Sequence, residues 1–248
     1  MRIGIMSAML EENRLLISRM SGAQNFECAG RVYTKGRYLE HDLVVAFSRW
    51  GKTASAVTAS HLINTFHIDK LIFTGVAGSA TPQLKVGDIV VADRLIHHDM
   101  DARPLYERFE VPLIKETYFE TDRTLHTKML SACAKFLKDR HSYIKNEELL
   151  NFDISSPMIH TGLIASGDKF FSSKSELKAL KTLLPETLCV EMEGASVAQV
   201  CKEHNIPFAI VRTISDNADE SSSINFLKFI EKIASVYSLG IIEQLLDL

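Results

Sequence analysis

The sequence predicts a single α/β domain built on a twisted, mixed, mostly parallel sheet with helices on both faces. Three observations predict it. Short apolar runs of strand length alternate with longer stretches of helical spacing. Polar residues able to do chemistry gather where those runs end, which is where α/β sheets bind ligands. No Pro/Gly/Ser-rich linker divides the 248 residues, and neither half differs sharply from the other in charge.

The elements follow in order. Residues 2–6 read as a first strand. Residues 31–34 and 42–47 read as a second and a third, joined around Lys35-Gly36. Residues 52–66 carry Ala56, Ala59, Leu62, Ile63 and Phe66 at helical spacing. Residues 71–73 form a buried strand running into a small-residue turn, Gly75-Val76-Ala77-Gly78, and residues 88–96 form another strand. Residues 121–138 are helical. The polar stretch 139–157 reads as a surface insertion or loop. Residues 158–165 are a strand ending in Ser166-Gly167-Asp168, and residues 173–184 are a helix stopped by Pro185. Residues 187–190 are a strand leading into a helix over 192–203. Residues 208–215 are a strand ending at Asp216, and residues 222–246 are a long amphipathic helix.

Composition sets limits. With 46% hydrophobic and 24% charged residues the chain can fill a core. The formal net charge of −3 and the lack of a Lys/Arg cluster argue against a nucleic-acid partner. No apolar run reaches membrane-spanning length, and the apolar start is too short for a signal peptide, so a soluble cytoplasmic protein is expected. Cys28, Cys133, Cys189 and Cys201 are scattered and read as free thiols. His97-His98 could suggest a metal, but no second cluster completes a ligand set, so no metal is expected.

The acidic residues at strand ends carry the chemistry. Glu11 and Glu12 suit a helix's first turn through the dipole, and Glu12 equally suits a general base held by a rigid strand. In Val190-Glu191-Met192-Glu193, capping and core packing account for one acid and the methionine but less easily for both acids. A carboxylate beside a thioether suits a sugar. Asp216 reads either as a turn aspartate or as an acid sharing a proton with a purine nitrogen. Phe170 and Phe171 read as core or as a platform for a base.

Together these stretches resemble the bacterial 5′-methylthioadenosine/S-adenosylhomocysteine nucleosidases of the nucleoside phosphorylase superfamily. The likeness runs from Ile3-Gly4-Ile5 and Glu11-Glu12 through Gly51-Lys52, Thr74-Gly75-Val76-Ala77-Gly78 and Lys85-Val86-Gly87-Asp88. It continues in Ser166-Gly167-Asp168 with Phe170, Val190-Glu191-Met192-Glu193-Gly194 and Arg212 through Ser215-Asp216-Asn217-Ala218-Asp219. The resemblance implies one nucleosidase domain over the whole chain that releases adenine from 5′-substituted adenosines without a cofactor. 5′-Methylthioadenosine, S-adenosylhomocysteine, 5′-deoxyadenosine and aminofutalosine all stay open as substrates. It implies that Glu12 activates water and that Asp216 protonates adenine at N7, with Ser215 beside it. Glu193 would bind ribose with Met192 under the sugar, and Glu191 and Arg212 would line the water side. Phe170 would stack on the base, Phe171 would read its edge, and Gly78 would offer a backbone contact. It further implies a homodimer in which a loop within residues 102–113, with Tyr106, Phe109 and Pro112 as candidates, helps to close the partner's 5′ pocket.

Two departures touch the site: Val76 replaces a usual serine, and Arg49-Trp50 replace a small and an aliphatic residue. A phosphate-dependent phosphorylase, with Arg49 and Arg212 as phosphate ligands, is the nearest rival; Glu11 and Glu12 would repel its anion. A non-catalytic nucleoside-binding module is the second rival, and the joint presence of Glu12 and Asp216 argues against it.

Overall fold

The computed structural model describes residues 1–216 and 226–248. Strand β1 (Arg2–Ser7) is buried over almost its whole length, the pattern of a strand covered on both faces. It lies between β4 (His41–Phe47) and β5 (Lys70–Thr74) and runs parallel to both. Its side chains alternate between two cores: Ile3 and Ile5 face one, Met6 the other.

Strand β11 (Phe208–Asp216) changes partners along its length. It pairs with β5 through Phe208–Ile210, then with β7 (Ile89–His97) in antiparallel fashion, then with β6 (Val76–Ser79) in parallel. β6 pairs with β10 (Thr187–Glu191), β10 with β9 (Ile159–Ser166), and β9 with β7. The circuit β11–β6–β10–β9–β7 therefore returns to β11, so part of the eleven-stranded sheet closes on itself. Bulges in β7 between Ala92 and Arg94, in β10 between Thr187 and Cys189, and in β11 between Ile214 and Asp216 supply the bending that closure requires. β3 (Arg31–Tyr38) and β2 (Ser21–Cys28) extend the open side beyond β4, and β8 (Phe119–Glu120) flanks β7.

One face of the sheet is covered by α1 (Leu10–Arg19), α3 (Arg123–Asp139) and α8 (Ser235–Leu246), which place Leu16, Met129, Phe136 and Ile242 in one core. The other face is covered by α2 (Lys52–Asn64) and α6 (Gly194–Glu203), with Ala59, Leu62, Ala198 and Cys201 in a second. A third, smaller core lies under α5 (Lys174–Leu183) and holds Phe109 and Phe171. The short helix α4 (Asn146–Leu150) follows α3. α7 (Phe226–Phe229) leads through a π turn (Ile230–Ala234) into α8.

The sheet and its helical layers are those expected from the alternating pattern, with local corrections. β3 runs through Lys35-Gly36, and the turn to β4 falls after Tyr38, where Leu39 takes φ +53°. β2 is an exposed edge strand without alternating apolar residues, so periodicity missed it. Val76-Ala77-Gly78 is strand, not turn. The stretch 139–157 is not confined to the surface, because Ile144, Leu149 and Ile154 are buried in the first core. Gly87, at φ +87°, sits against this stretch: a Cβ there would stand 2.8 Å from Ile154 Cγ1. The C-terminal helix expected from residue 222 is described from Phe226, and residues 222–225 lie outside the described residues. The four cysteines are free thiols, three of them buried.

Helix α3 begins at Asp122, whose carboxylate accepts the Leu125 N–H at 2.8 Å. D122A should cost about 1 kcal/mol. Thermal unfolding should then fall by roughly 2–4 °C; an unchanged midpoint would show that the cap contributes nothing.

Candidate active site

A cavity of about 270 Å³ opens at the carboxyl ends of β1, β10 and β11. Apolar groups make most of its wall: Ala8, Met9, Trp50, Val76, Phe170 and Phe226. Its polar groups are carboxylates (Glu191, Glu193, Asp216), the Ser215 hydroxyl and Lys169. Gly78, Phe171 and Met192 also line it. Eight of the ten residues singled out in the sequence therefore meet in one cavity, and Glu12 and Arg212 do not line it.

The β11 bulge explains one end. Neighbouring residues in a regular strand point to opposite faces, yet Ser215 and Asp216 both line the cavity. The extra residue at the bulge sets Asp216 opposite Gly78. Ser215 Oγ donates to Asp216 Oδ2 at 2.7 Å and so orients that carboxylate.

Glu191 is the hub of the opposite wall. Its carboxylate takes Arg212 Nη2 at 2.7 Å and Nε at 3.3 Å. It also accepts the Gly194 N–H at 2.8 and 2.9 Å, the Glu193 N–H at 3.2 Å, and the Ser166 hydroxyl. The acid thus sits at the N-terminus of α6, where backbone donors and the helix dipole favour a negative charge. Arg212 is fully buried; Nη1 donates to the Phe73 and Val211 carbonyls, and the guanidinium stacks on the Phe73 ring at 4.1 Å.

Glu193 accepts the Gly51 N–H at 2.9 Å. Burial and the adjacent Glu191 charge push its carboxyl up. Gly51 takes φ +90° and opens α2, and it is followed by a clamp. The Lys52 N–H donates to Asp168 at 2.8 Å, Lys52 Nζ pairs with Asp99 at 2.6 Å, and the Asp168 N–H donates to Asp99 at 2.9 Å. This clamp fixes the loop that carries Phe170 and Phe171. Asp99 was visible in the sequence only as loop polarity, whereas Asp168 stood in the strand-end motif Ser166-Gly167-Asp168. Phe170 is half exposed and meets Phe226 edge-on, whereas Phe171 is buried against His98. Phe226 was missed, because in the sequence it is one apolar residue of a helix.

Glu12 is buried and does not line the cavity, whereas its hydrogen-bond partner Met9 does. Glu12 is the third residue of α1 and accepts the Met9 N–H at 3.1 Å, a helix-capping contact. Ser238 Oγ donates to its other oxygen at 3.2 Å. Burial pushes its carboxyl up to about 7, against the opposing pull of the Arg212 charge.

Trp50 lines the cavity with 63% of its surface exposed and donates Nε1–H to the Ala8 carbonyl at 3.0 Å. Arg49 takes φ +61° and donates to the Gly30 carbonyl. His97 contacts Gln199, and among the described residues no group of three or more His, Cys, Asp or Glu side chains is placed to hold a metal ion.

Residues 2–247 match the model of the Phosphorylase superfamily. The chain belongs to the phosphorylase superfamily. Within it, this chain is 34% identical over 245 residues to a 5′-methylthioadenosine/S-adenosylhomocysteine nucleosidase of Staphylococcus saprophyticus, covering 98% of each chain. It is 35% identical over 238 residues to an aminodeoxyfutalosine nucleosidase of Helicobacter pylori, covering 94% of this chain and 93% of the relative. Its fold is similar, at a TM-score of 0.85 and 32% identity over 99% of this chain and 98% of the other, to the S. pneumoniae 5′-methylthioadenosine/S-adenosylhomocysteine nucleosidase with a transition-state inhibitor. This superfamily fold is the one the motifs implied.

The raised acid of Glu12 has a thermodynamic consequence. Folding favours its neutral form, so the associated stability is complete below the ordinary value of 4.5 and is lost as pH climbs through about 7. Urea unfolding of the ligand-free protein should therefore show lower stability at about pH 8 than at about pH 5. E12Q, which can still cap α1 but cannot ionise, should flatten that slope. An E12Q profile parallel to that of the unmodified protein would refute the assignment.

Proposed function

We propose that this protein hydrolyses the N-glycosidic bond of 5′-substituted adenosines and releases adenine. One observation carries the choice of hydrolysis over phosphorolysis: three acidic side chains line the cavity, the lining cation Lys169 is paired, and so is Arg212, which does not line it. Arg212 is neutralised by Glu191, and Lys169 Nζ pairs with Glu176 at 2.8 Å. Arg49, bonded to Gly30, does not line the cavity. A phosphate ion would meet negative charge without a spare arginine, whereas a neutral water and a cationic sugar would be welcome.

In this reading the base lies between Phe170 and the β11 end of the cavity. Asp216, oriented by Ser215, donates a proton to N7 of adenine as the glycosidic bond breaks. Phe171 and Gly78 offer backbone contacts. Glu193 binds the ribose hydroxyls and Met192 packs under the ring. Glu191 and Arg212 supply the field on the water side, and Glu12 takes a proton from the attacking water. The 5′ group points past Met9 and Trp50. The curated relatives are named for different 5′-substituted adenosines, so a turnover panel over 5′-methylthioadenosine, S-adenosylhomocysteine, 5′-deoxyadenosine and aminofutalosine ranks the substrates.

The reading extends to assembly. A homodimer would use the loop at 102–113, which presents Leu105 and Leu113, each 84% exposed. Phe109 is buried in its own chain, which leaves Tyr106 and Pro112 as the candidates to reach a partner. Among the described residues no helix is long and apolar enough to cross a membrane.

Adenine release from 5′-methylthioadenosine should proceed at the same rate in phosphate-free and phosphate buffer, with a free thiosugar as co-product. Strict phosphate dependence with a sugar 1-phosphate product overturns the reading. E12Q and D216N should each lower kcat by on the order of a hundredfold or more with the fold intact; near-normal turnover in either removes that residue from the mechanism.

A further inference from the structure

The two oxygens of Glu12 are held by different parts of the chain. The Met9 contact is local and any N3 glutamate would make it. The Ser238 contact is not: its hydroxyl arrives from α8, 226 residues further along, and both side chains are buried. A serine inside a helix ordinarily turns its hydrogen back to a carbonyl of the preceding turn. Ser235 does so, donating to the Glu231 carbonyl at 2.7 Å. Ser238, one turn later, directs its hydrogen to Glu12 Oε1 instead. The π turn Ile230–Ala234 leads directly into α8.

The other ionisable groups on the elements packed around Glu12 are paired elsewhere, packed on aromatic rings or exposed. Arg212 on β11 favours the charged form of Glu12 and is paired with Glu191 on β10. On α8, Tyr237 packs on Phe136, and Glu243 lies beside Tyr38 and Tyr143. Glu231 and Lys232 in the π turn are exposed, as are Arg14 and Arg19 on α1, and Glu11 is partly exposed. On β4, His41 contacts the Leu246 carbonyl and Asp42 pairs with Arg37; on β1, Arg2 donates to the Phe66 carbonyl.

We propose, resting on the reading of Glu12 as the base, that Ser238 is a positioning residue for hydrolysis: its hydroxyl fixes the Glu12 carboxylate and holds it in the form that can accept a proton from water. A hydroxyl donating to a carboxylate makes a charge-assisted bond that its removal forfeits. S238A deletes only this donor and puts a strong helix former in its place, so α8 is expected to persist.

The test uses the full chain labelled with 13C at glutamate carboxyls. The Glu12 resonance is identified by its absence in E12Q and is titrated in the unmodified protein and in S238A. In parallel, kcat/KM for adenine release from 5′-methylthioadenosine is measured across pH. In S238A the Glu12 midpoint and the acid limb of kcat/KM should both rise by about one pH unit. Activity on the acid side should then fall roughly tenfold through kcat, with KM little changed and the alkaline plateau retained. An unmoved Glu12 midpoint overturns the inference about Ser238 alone. A midpoint that moves while the acid limb stays overturns Glu12 as the base, and the positioning role with it.

Discussion

The buried ion pair between Arg212 and Glu191 is the contact on which the rest of the site depends. It joins β11 to β10, and through the other donors to Glu191 it reaches Ser166 at the end of β9 and the first turn of α6. Arg212 also bonds β5 near its end through the Phe73 carbonyl. Four strands are thereby tied together at one point. Such a pair is not a stability device in itself, since desolvation offsets much of its attraction. Losing one partner, however, strands a charge in the core, so the pair is hard to dismantle and its geometry is held closely.

The same guanidinium governs the acids around it. Burial alone would hold Glu12 and Glu193 neutral, and Arg212 opposes burial at both. Its charge is divided among a fixed anion, Glu191, and two acids that it only partly stabilises. The result is two buried acids, Glu12 and Glu193, pushed toward their neutral forms close to one guanidinium, an arrangement acid–base chemistry can use. Ser238 and the Gly51 N–H then act on Glu12 and Glu193 separately, through contacts that do not touch the ion pair.

Periodicity made much of the fold legible. The apolar runs of β1, β5 and β10 and the spacing of α2 follow from burial, and burial leaves a pattern in the residues. β2 leaves none, because an exposed edge strand has no buried face to encode. Closure of the sheet was equally hidden: it depends on bulges in β7, β10 and β11, and a bulge is a change of register rather than of composition. At the site, carboxylates at strand ends were visible as types in places. Which of them would be occupied was not. Glu191 and Arg212 read as residues facing the water side, yet they satisfy each other, and Ser238 carried no signal because its partner lies 226 residues away.

The distinction between water and phosphate as the attacking group follows from that pairing. A superfamily defined by its fold can host either nucleophile, because the fold fixes only where strand ends meet. What decides is the charge left over after the side chains have satisfied one another. Arg212 is wholly buried and bonded to Glu191 and to the Phe73 and Val211 carbonyls, and Lys169 pairs with Glu176 at the surface. An incoming dianion would face the Glu191 carboxylate across a low-dielectric space, with Arg212 already bound to that carboxylate. Water meets no such cost, and in the proposed reading the Glu191 carboxylate that would repel an anion favours positive charge developing on the sugar. The buried pair thus selects the nucleophile by withholding a cation as much as by placing an anion.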